Sequence, residues 1–204
     1  QPELIIKYVI KQRILADCWK KHKILGPIPI EDGGSVRTGH PNICPLLDYW
    51  EDSEFYFLVT TAACTAHPEA DDPPRRGQDL FDYVDAHPDG LAPHDIHNIL
   101  GQVADALWFL HEHSIVHRDI KDENVAMDPT GLVRLIDFGS AAYVKESRKF
   151  DTFSGTLDFA APEVLKGARY GGKEQDVWAL GVLGYVLVCG ESPRFLHLDA
   201  RLGN

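Results

Sequence analysis

Val116–Met127 reads "VHRDIKDENVAM", and Leu135–Ser140 reads "LIDFGS". The first stretch sets His117, Arg118, Asp119, Lys121, Asp122, Glu123 and Asn124 within eight residues, between apolar flanks. A solvated turn would explain most of these charges. It would not explain Asp137, which sits in a similarly apolar setting 13 residues after Asn124. The segment between them, "NVAMDPTGLVRLID", reads as a hairpin of strand, Pro-Thr-Gly turn and strand. Antiparallel strands bring their outer ends together, so Asn124 and Asp137 are expected to lie close in space.

An Asn carbonyl and a carboxylate are hard oxygen ligands suited to Mg²⁺, which keeps waters and also takes substrate phosphates. Asp119, five residues before Asn124, is placed to accept a proton from an attacking hydroxyl. Lys121, two residues on, could neutralise charge on a transferring phosphoryl group. Each residue alone is an ordinary turn former, and only the joint spacing carries the signal.

Outward from this centre the pattern divides. "LIIKYVI" near the start is strand-like, with Lys7 in its middle, and "LLDYWEDSEFYFLVT" gives two further strands around the polar turn 51–54. Residues 65–78, "TAHPEADDPPRRGQ", are Pro-rich, charged and aperiodic, and read as a linker. Beyond them Ile96, Ile99, Leu100, Val103, Leu107 and Leu110 mark one face of a long amphipathic helix, with Pro93 just ahead. "GGKEQDVWALGVLGYVLVCG" predicts a second helix, so apolar that it is expected to be buried, with Trp178 and Tyr185 in the core and Gly181 and Gly184 as packing positions. Strands come early and helices late, which fits an α+β fold with a small sheet lobe and a helical lobe.

Composition narrows the function classes. Of the net charge of −11, residues 1–30 carry six Lys/Arg against two acids, and the remainder fourteen against twenty-nine. An acidic body of this kind argues against nucleic-acid binding, and "KKHK" at 20–23 reads as a solvated face. Cys18, Cys44, Cys64 and Cys189 show no paired spacing and read as reduced thiols. The longest apolar run, residues 177–190, has 14 residues and is too short to span a bilayer. The chain opens on Gln1 without a signal-peptide pattern, so it is expected to be a fragment of a cytoplasmic or otherwise intracellular protein. His111, His113 and His117 do not make a convincing metal cluster, because 111 and 113 point to different faces of a helix.

"HRDIKDEN", "DFG" and then "APE" (Ala161, Pro162, Glu163) together resemble the eukaryotic protein kinases, whose H-R-D-x-x-x-x-N, D-F-G and A-P-E motifs occur in this order. Lys121 two after Asp119 is similar to the serine/threonine class. "RDIKDENV", "RLIDFGSAAY" and "QDVWALGVLGY" look closest to the PAS-domain-regulated kinases, near the calmodulin-dependent group. The resemblance covers roughly residues 4 to 195 and implies a two-lobed kinase fold: a partial sheet lobe at 1–64, a hinge or linker at 65–78 and a partial helical lobe at 79–204. It implies phosphoryl transfer from Mg²⁺-bound ATP to Ser/Thr hydroxyls of a protein substrate, and a regulatory sensor domain elsewhere in the full protein. It predicts neither a nucleic-acid nor a membrane partner.

Residue by residue, the resemblance makes Asp119 the catalytic base, Lys121 the contact to the γ-phosphate, and Asn124 and Asp137 the metal ligands. Gly139 follows as the position that lets the D-F-G backbone turn. Thr156 matches a threonine bridging Asp119 and Lys121, and Asp176 a buried acid bracing the catalytic loop. Lys7 would hold the α- and β-phosphates with Glu31 as its partner, Leu58, Val59 and on to Thr61 would form the adenine-binding hinge, and Asp79 would meet the ribose. Ser147, Thr152 and Ser154 lie where kinases often carry regulatory phosphate, with Arg118 as its partner.

The sequence departs from the pattern in three places. Only six residues precede Lys7, so the glycine-rich phosphate-covering loop is missing. Gly33 and Gly34 would each weaken a helix carrying Glu31 by about 1 kcal/mol. The chain stops at Asn204, before the later helices of the helical lobe. Truncation at both ends is therefore expected. The alternative is a catalytically impaired kinase-fold remnant acting as a binding or scaffold module. Small-molecule phosphotransferases share the Asp-x-x-x-x-Asn and Asp pattern but not the "GT" and "APE" segment.

Overall fold

The computed structural model describes residues 4–10, 27–28, 37–38, 40–61, 78–145 and 148–193. The glutamate expected at Glu31, the linker residues 62–77 and Ser147 lie outside the described residues.

The early strands form where the β-branched and aromatic runs place them. β1 (Leu4–Ile10), β4 (Leu46–Glu51) and β5 (Phe55–Thr61) make one antiparallel sheet in the order β1-β5-β4. Asp52 sets the turn between β4 and β5 by accepting from Glu54 N and Phe55 N, both at 2.7 Å. Two two-residue strands, β2 (Pro27–Ile28) and β3 (Arg37–Thr38), pair with each other.

This sheet corrects the hinge. Leu58 pairs with Lys7 on one side and Tyr49 on the other, and Val59 with Ile6 and Asp48. The aromatic and β-branched run "FYFLVTT" keeps the strand paired as far as Thr61, so backbone groups expected to face adenine are spent on the sheet ladder. Leu58 and Val59 are buried strand residues.

The helical part is built on two elements. α2 (Pro93–Glu112) carries Pro93 in its first turn, where the missing N–H costs nothing, and buries Ile99, Val103, Ala106, Leu107 and Leu110. It follows the short α1 (Leu80–Asp85) and lies against α4 (Gly172–Cys189); α3 (Pro162–Leu165) is a single turn. Fully buried side chains such as Leu110 and Leu183 each contribute about 1.5–3 kcal/mol to this packing.

α4 is less buried than its composition predicts. Gln175, Asp176, Ala179, Val182, Leu183, Val186 and Leu187 face the core, while Val177, Tyr185 and Val188 are 60, 44 and 63% exposed. A helix can be apolar all round and still turn one face outward, because only residues three and four apart share a face. Tyr185 is thus a surface residue, whereas Trp178 packs against the core. Gly184 lies 3.4 Å from Leu100 as judged at an ideal Cβ, but among the described residues nothing lies within 4 Å of an ideal Cβ at Gly181. Among the described residues, no helix is long and apolar enough to cross a membrane.

The remaining strands frame the site. β6 (Gln78–Asp79), β8 (Val125–Met127) and β9 (Val133–Leu135) form a sheet in the order β6-β8-β9, and β7 (Ile115–Val116) pairs with β10 (Ala142–Tyr143). The β8–β9 turn is set by Asp128, whose Oδ1 accepts from Thr130 N, Thr130 Oγ1 and Leu132 N, with Gly131 at φ +84°. The segment before β4 is tied to this hairpin. Leu135 N donates to Asn42 O, Cys44 N donates to Leu135 O, and Asn42 Nδ2 reaches Gln102 Oε1 and Val133 O.

Candidate active site

β7 delivers the chain from the end of α2 into the loop at His117–Asp119, and the backbone there is strained. Arg118 has φ +68°, a left-handed conformation that costs a non-glycine residue about 1–3 kcal/mol and persists only if its surroundings hold it. Asp176 on α4 does so. Its fully buried carboxylate accepts from Arg118 N at 2.7 Å through Oδ1, and from His117 N at 2.9 Å and His111 Nε2 at 2.8 Å through Oδ2. His117, also buried, directs Nε2 to Ile136 O at 3.0 Å, and its ring meets Phe138 edge-on at 4.8 Å. The loop is thereby fixed both to α4 and to the chain following β9.

The carboxylate of Asp119 takes hydrogen bonds from a near and a distant part of the sequence. Thr156 Oγ1 donates to its Oδ1 at 2.9 Å, and Asn124 Nδ2 donates to its Oδ2 at 3.2 Å and to its backbone oxygen at 2.8 Å. Gly155, at φ +125°, passes so close that a Cβ there would lie 2.4 Å from Arg118 O and 3.4 Å from Asp119 Oδ1. Only glycine fits that approach.

Asn124 and Asp137 come together as the hairpin requires, since Ile136 N donates to Asn124 O at 3.0 Å. With Asn124 Nδ2 turned to Asp119, its Oδ1 is the atom presented on the other side of the amide. Asp137 has φ +55° and ψ +71°, and its Oδ1 accepts from Gly139 N at 3.1 Å. This corrects the role expected of Gly139. The left-handed residue of the turn is Asp137, and Gly139 sits tightly beside it, a Cβ there standing 3.0 Å from Asp137 Oδ1. An amide oxygen and a carboxylate suit Mg²⁺, and among the described residues no group of three His, Cys, Asp or Glu forms a closed metal cage. The pair fits an ion that shares its shell with water and phosphate.

Lys121 pairs with Glu123, so the threonine bridge is corrected in part: Thr156 bonds Asp119, while the ammonium turns to a neighbouring carboxylate. Burial alone would lower the Lys121 pKa, but Glu123, Asp119 and Asp122 together raise it above the usual lysine value. Burial pushes the Asp122 carboxyl up from its ordinary range.

The other candidates are more dispersed. Lys7 lies mid-strand beside Leu58 in the early sheet. Asp79 caps α1, accepting from Asp82 N at 2.9 Å. The Arg118 guanidinium stacks on Phe150, 4.4 Å from the ring centroid, and Arg148 approaches the same ring at 5.0 Å. Thr152 takes a hydrogen bond from Tyr170 Oη on its carbonyl, and Ser154 Oγ donates to Ser140 Oγ at 2.8 Å. His113 faces Phe109 O, so the three histidines go to three separate partners.

A cavity of about 220 Å³ opens beside Thr156, its wall including Phe81, Phe159 and five carboxylates: Asp85, Asp122, Glu123, Asp158 and Glu191. Three contributors escaped the sequence reading. His111 shows only as a helix-end histidine, Gly155 as a loop glycine and Ser140 as the residue after "DFG", and none has a pattern that announces its contact.

The protein kinase domain family matches residues 6–200 of the chain. Serine/threonine-protein kinase ppk6 of Schizosaccharomyces pombe is 43% identical, with 98% of this chain and 25% of that protein covered. Serine/threonine-protein kinase PSK2 of Saccharomyces cerevisiae is 44% identical, covering 94% of this chain and 17% of its own length. A PAS domain-containing serine/threonine-protein kinase of Mus musculus is 38% identical, again over 94% of this chain but only 13% of that protein. The chain thus spans a quarter or less of the length of these relatives.

Proposed function

Since the chain belongs to the protein kinase domain family, we propose that it carries out phosphoryl transfer from ATP to serine and threonine hydroxyls of proteins, as part of a longer polypeptide. The observation that carries the reading is the convergence on Asp119: a threonine 37 residues away and an asparagine five residues away both donate to one carboxylate. Held this way, the carboxylate is oriented toward an incoming hydroxyl and can take its proton as the oxygen attacks.

Asn124 and Asp137 would hold Mg²⁺, which when bound neutralises phosphate charge. Lys121, kept cationic by the surrounding carboxylates, would meet the γ-phosphate in exchange for Glu123. Lys7 and Glu31 would serve the inner phosphates and Asp79 the ribose. Leu58 and Val59 are left supporting the adenine site from within the sheet. The carboxylates beside Thr156 favour acceptors flanked by basic residues. A phosphate on Thr152, partnered by Arg118, would be the regulatory element of this reading, the Ser154 hydroxyl being engaged with Ser140, and a sensor domain elsewhere in the protein its upstream input. The division into a sheet lobe at 1–64, a linker at 65–78 and a helical lobe at 79–204 is part of the same proposal. So is work inside the cell, which fits four cysteines without paired spacing.

The test is Asp119→Asn in the full-length protein. Phosphate transfer to a serine peptide should fall by at least about a thousandfold, with affinity for ATP changed less than about threefold. Equal turnover by wild type and variant would refute the assignment and favour the scaffold alternative.

A further inference from the structure

Ser140 and Ser154 are 14 residues apart, both are half-buried, and their hydroxyls meet at 2.8 Å. Ser140 closes the short helical turn Phe138–Ser140 that Asp137 caps, so its position is tied rigidly to the metal-facing carboxylate. Ser154 begins the tripeptide Ser154-Gly155-Thr156. The next residue lies against Arg118 O, and the third donates to Asp119. One short segment therefore touches the turn of Asp137, the strained backbone before Asp119, and Asp119 itself.

We propose that the Ser140–Ser154 hydroxyl pair is a positioning device that holds the turn of Asp137 in register with the base Asp119. This inference rests on the kinase reading above. The Asn124–Ile136 ladder bond and the His117–Phe138 contact fix the hairpin side of Asp137. Beyond Phe138 the hydroxyl pair is a direct hydrogen bond that carries the register across to the segment bearing Thr156. Without it the turn and the segment can drift apart while each keeps its local hydrogen bonds. Transfer would then slow through misalignment of the acceptor and the phosphoryl group, with little effect on nucleotide binding. The short O–O distance and partial burial make the contact a full neutral hydrogen bond.

The test uses the full-length protein with Ser140→Ala, Ser154→Ala, the double variant and Ser154→Thr, which keeps a hydroxyl. Each alanine variant should lower kcat about 3- to 10-fold, the range of one lost hydrogen bond, with KM for ATP changed less than twofold. The double variant should be no worse than the poorer single one, because both remove the same contact, and Ser154→Thr should recover most of the loss. Multiplying single effects, unchanged kcat, a loss confined to KM, or no recovery by threonine would each overturn the proposal. Hydrogen–deuterium exchange supplies a readout independent of turnover. Ser140→Ala should speed exchange of the amides at 152–156, across the bridge from the substitution, and unchanged exchange there would overturn the proposal by itself. A wild type with no transfer activity would refute the kinase reading alone, and the exchange measurement would still decide the link.

Discussion

Replacing Asp176 by Asn tests how the loop before Asp119 is held. The side chain keeps its shape but loses its charge and one acceptor oxygen. In the native structure Oδ1 serves Arg118 N and Oδ2 serves His117 N and His111 Nε2. The best orientation of the new amide keeps its oxygen at the Oδ2 position, for two donors, and turns its NH₂ on Arg118 N, 2.7 Å away. One charge-assisted bond worth about 1.5–3 kcal/mol is lost, and a buried donor left without an acceptor costs a further 1–3 kcal/mol. The two surviving bonds also weaken from ionic to neutral. The total is about 3–6 kcal/mol, a large share of the 5–15 kcal/mol that stabilises a typical domain. The left-handed Arg118 then loses the contact that offsets its strain, so turnover should fall along with stability. Urea unfolding of both proteins gives the difference directly, provided the slopes agree. A loss below about 1 kcal/mol would show that Asp176 does not hold the loop as described.

Three further outcomes are expected. Asp137→Ala should weaken Mg²⁺-dependent nucleotide binding more than Asn124→Ala, because a carboxylate brings a full charge to the ion and an amide only a dipole; titration of Mg-ATP on both variants would expose the reverse order. Gly155→Ala, which sets a methyl carbon 2.4 Å from Arg118 O at φ +125°, should reduce kcat at least about tenfold and lower the unfolding midpoint, and a variant matching wild type in both would contradict the close approach. Asp122 binds its proton more tightly when folded, so its contribution to stability is fully present below the ordinary aspartate pKa and is lost as pH rises through the raised value. Asp122→Asn should therefore gain in melting temperature over wild type between pH 4 and pH 7, and a constant difference across that window would exclude the effect.

The strands and helices were legible because their signals are strong and local: the stripe through Ile99, Val103 and Leu110, the apolar and aromatic runs of β4 and β5 either side of a polar turn, and the Asp-Pro-Thr-Gly turn. The approach of Asn124 to the end of the hairpin bearing Asp137 was legible because a hairpin makes spacing into proximity. Leu58 and Val59 were misread, since the end of a strand depends on which neighbour continues the ladder, and nothing in "FLVTT" marks it. The outward face of α4 was hidden by a composition that is apolar on every side. The turn expected at Gly139 falls on Asp137, because a left-handed backbone usually points to glycine, while in this turn an aspartate takes it and caps the following residues with its own carboxylate. His111, Ser140 and Gly155 act through contacts made 14 to 65 residues away or through steric closeness, and local sequence carries no trace of either.

The stitching of residues 40–44 bears on how the chain can be cut. Ile43 is buried in the same cluster as Leu80, Leu110 and Leu183, and Ile43 pairs in parallel with Leu135. Asn42 bridges Gln102 and Val133, while His40 meets Asp105 at 3.2 Å and stacks beside Phe109. A protease acting within 62–77 would leave these contacts in place, and the two pieces would stay together as a nicked complex. A recombinant piece starting at Gln78 would instead expose the flank of β9 and leave Leu135 N and O without their backbone partners. The smallest unit that can be excised intact begins ahead of His40, well upstream of the stretch whose composition looks most like a boundary.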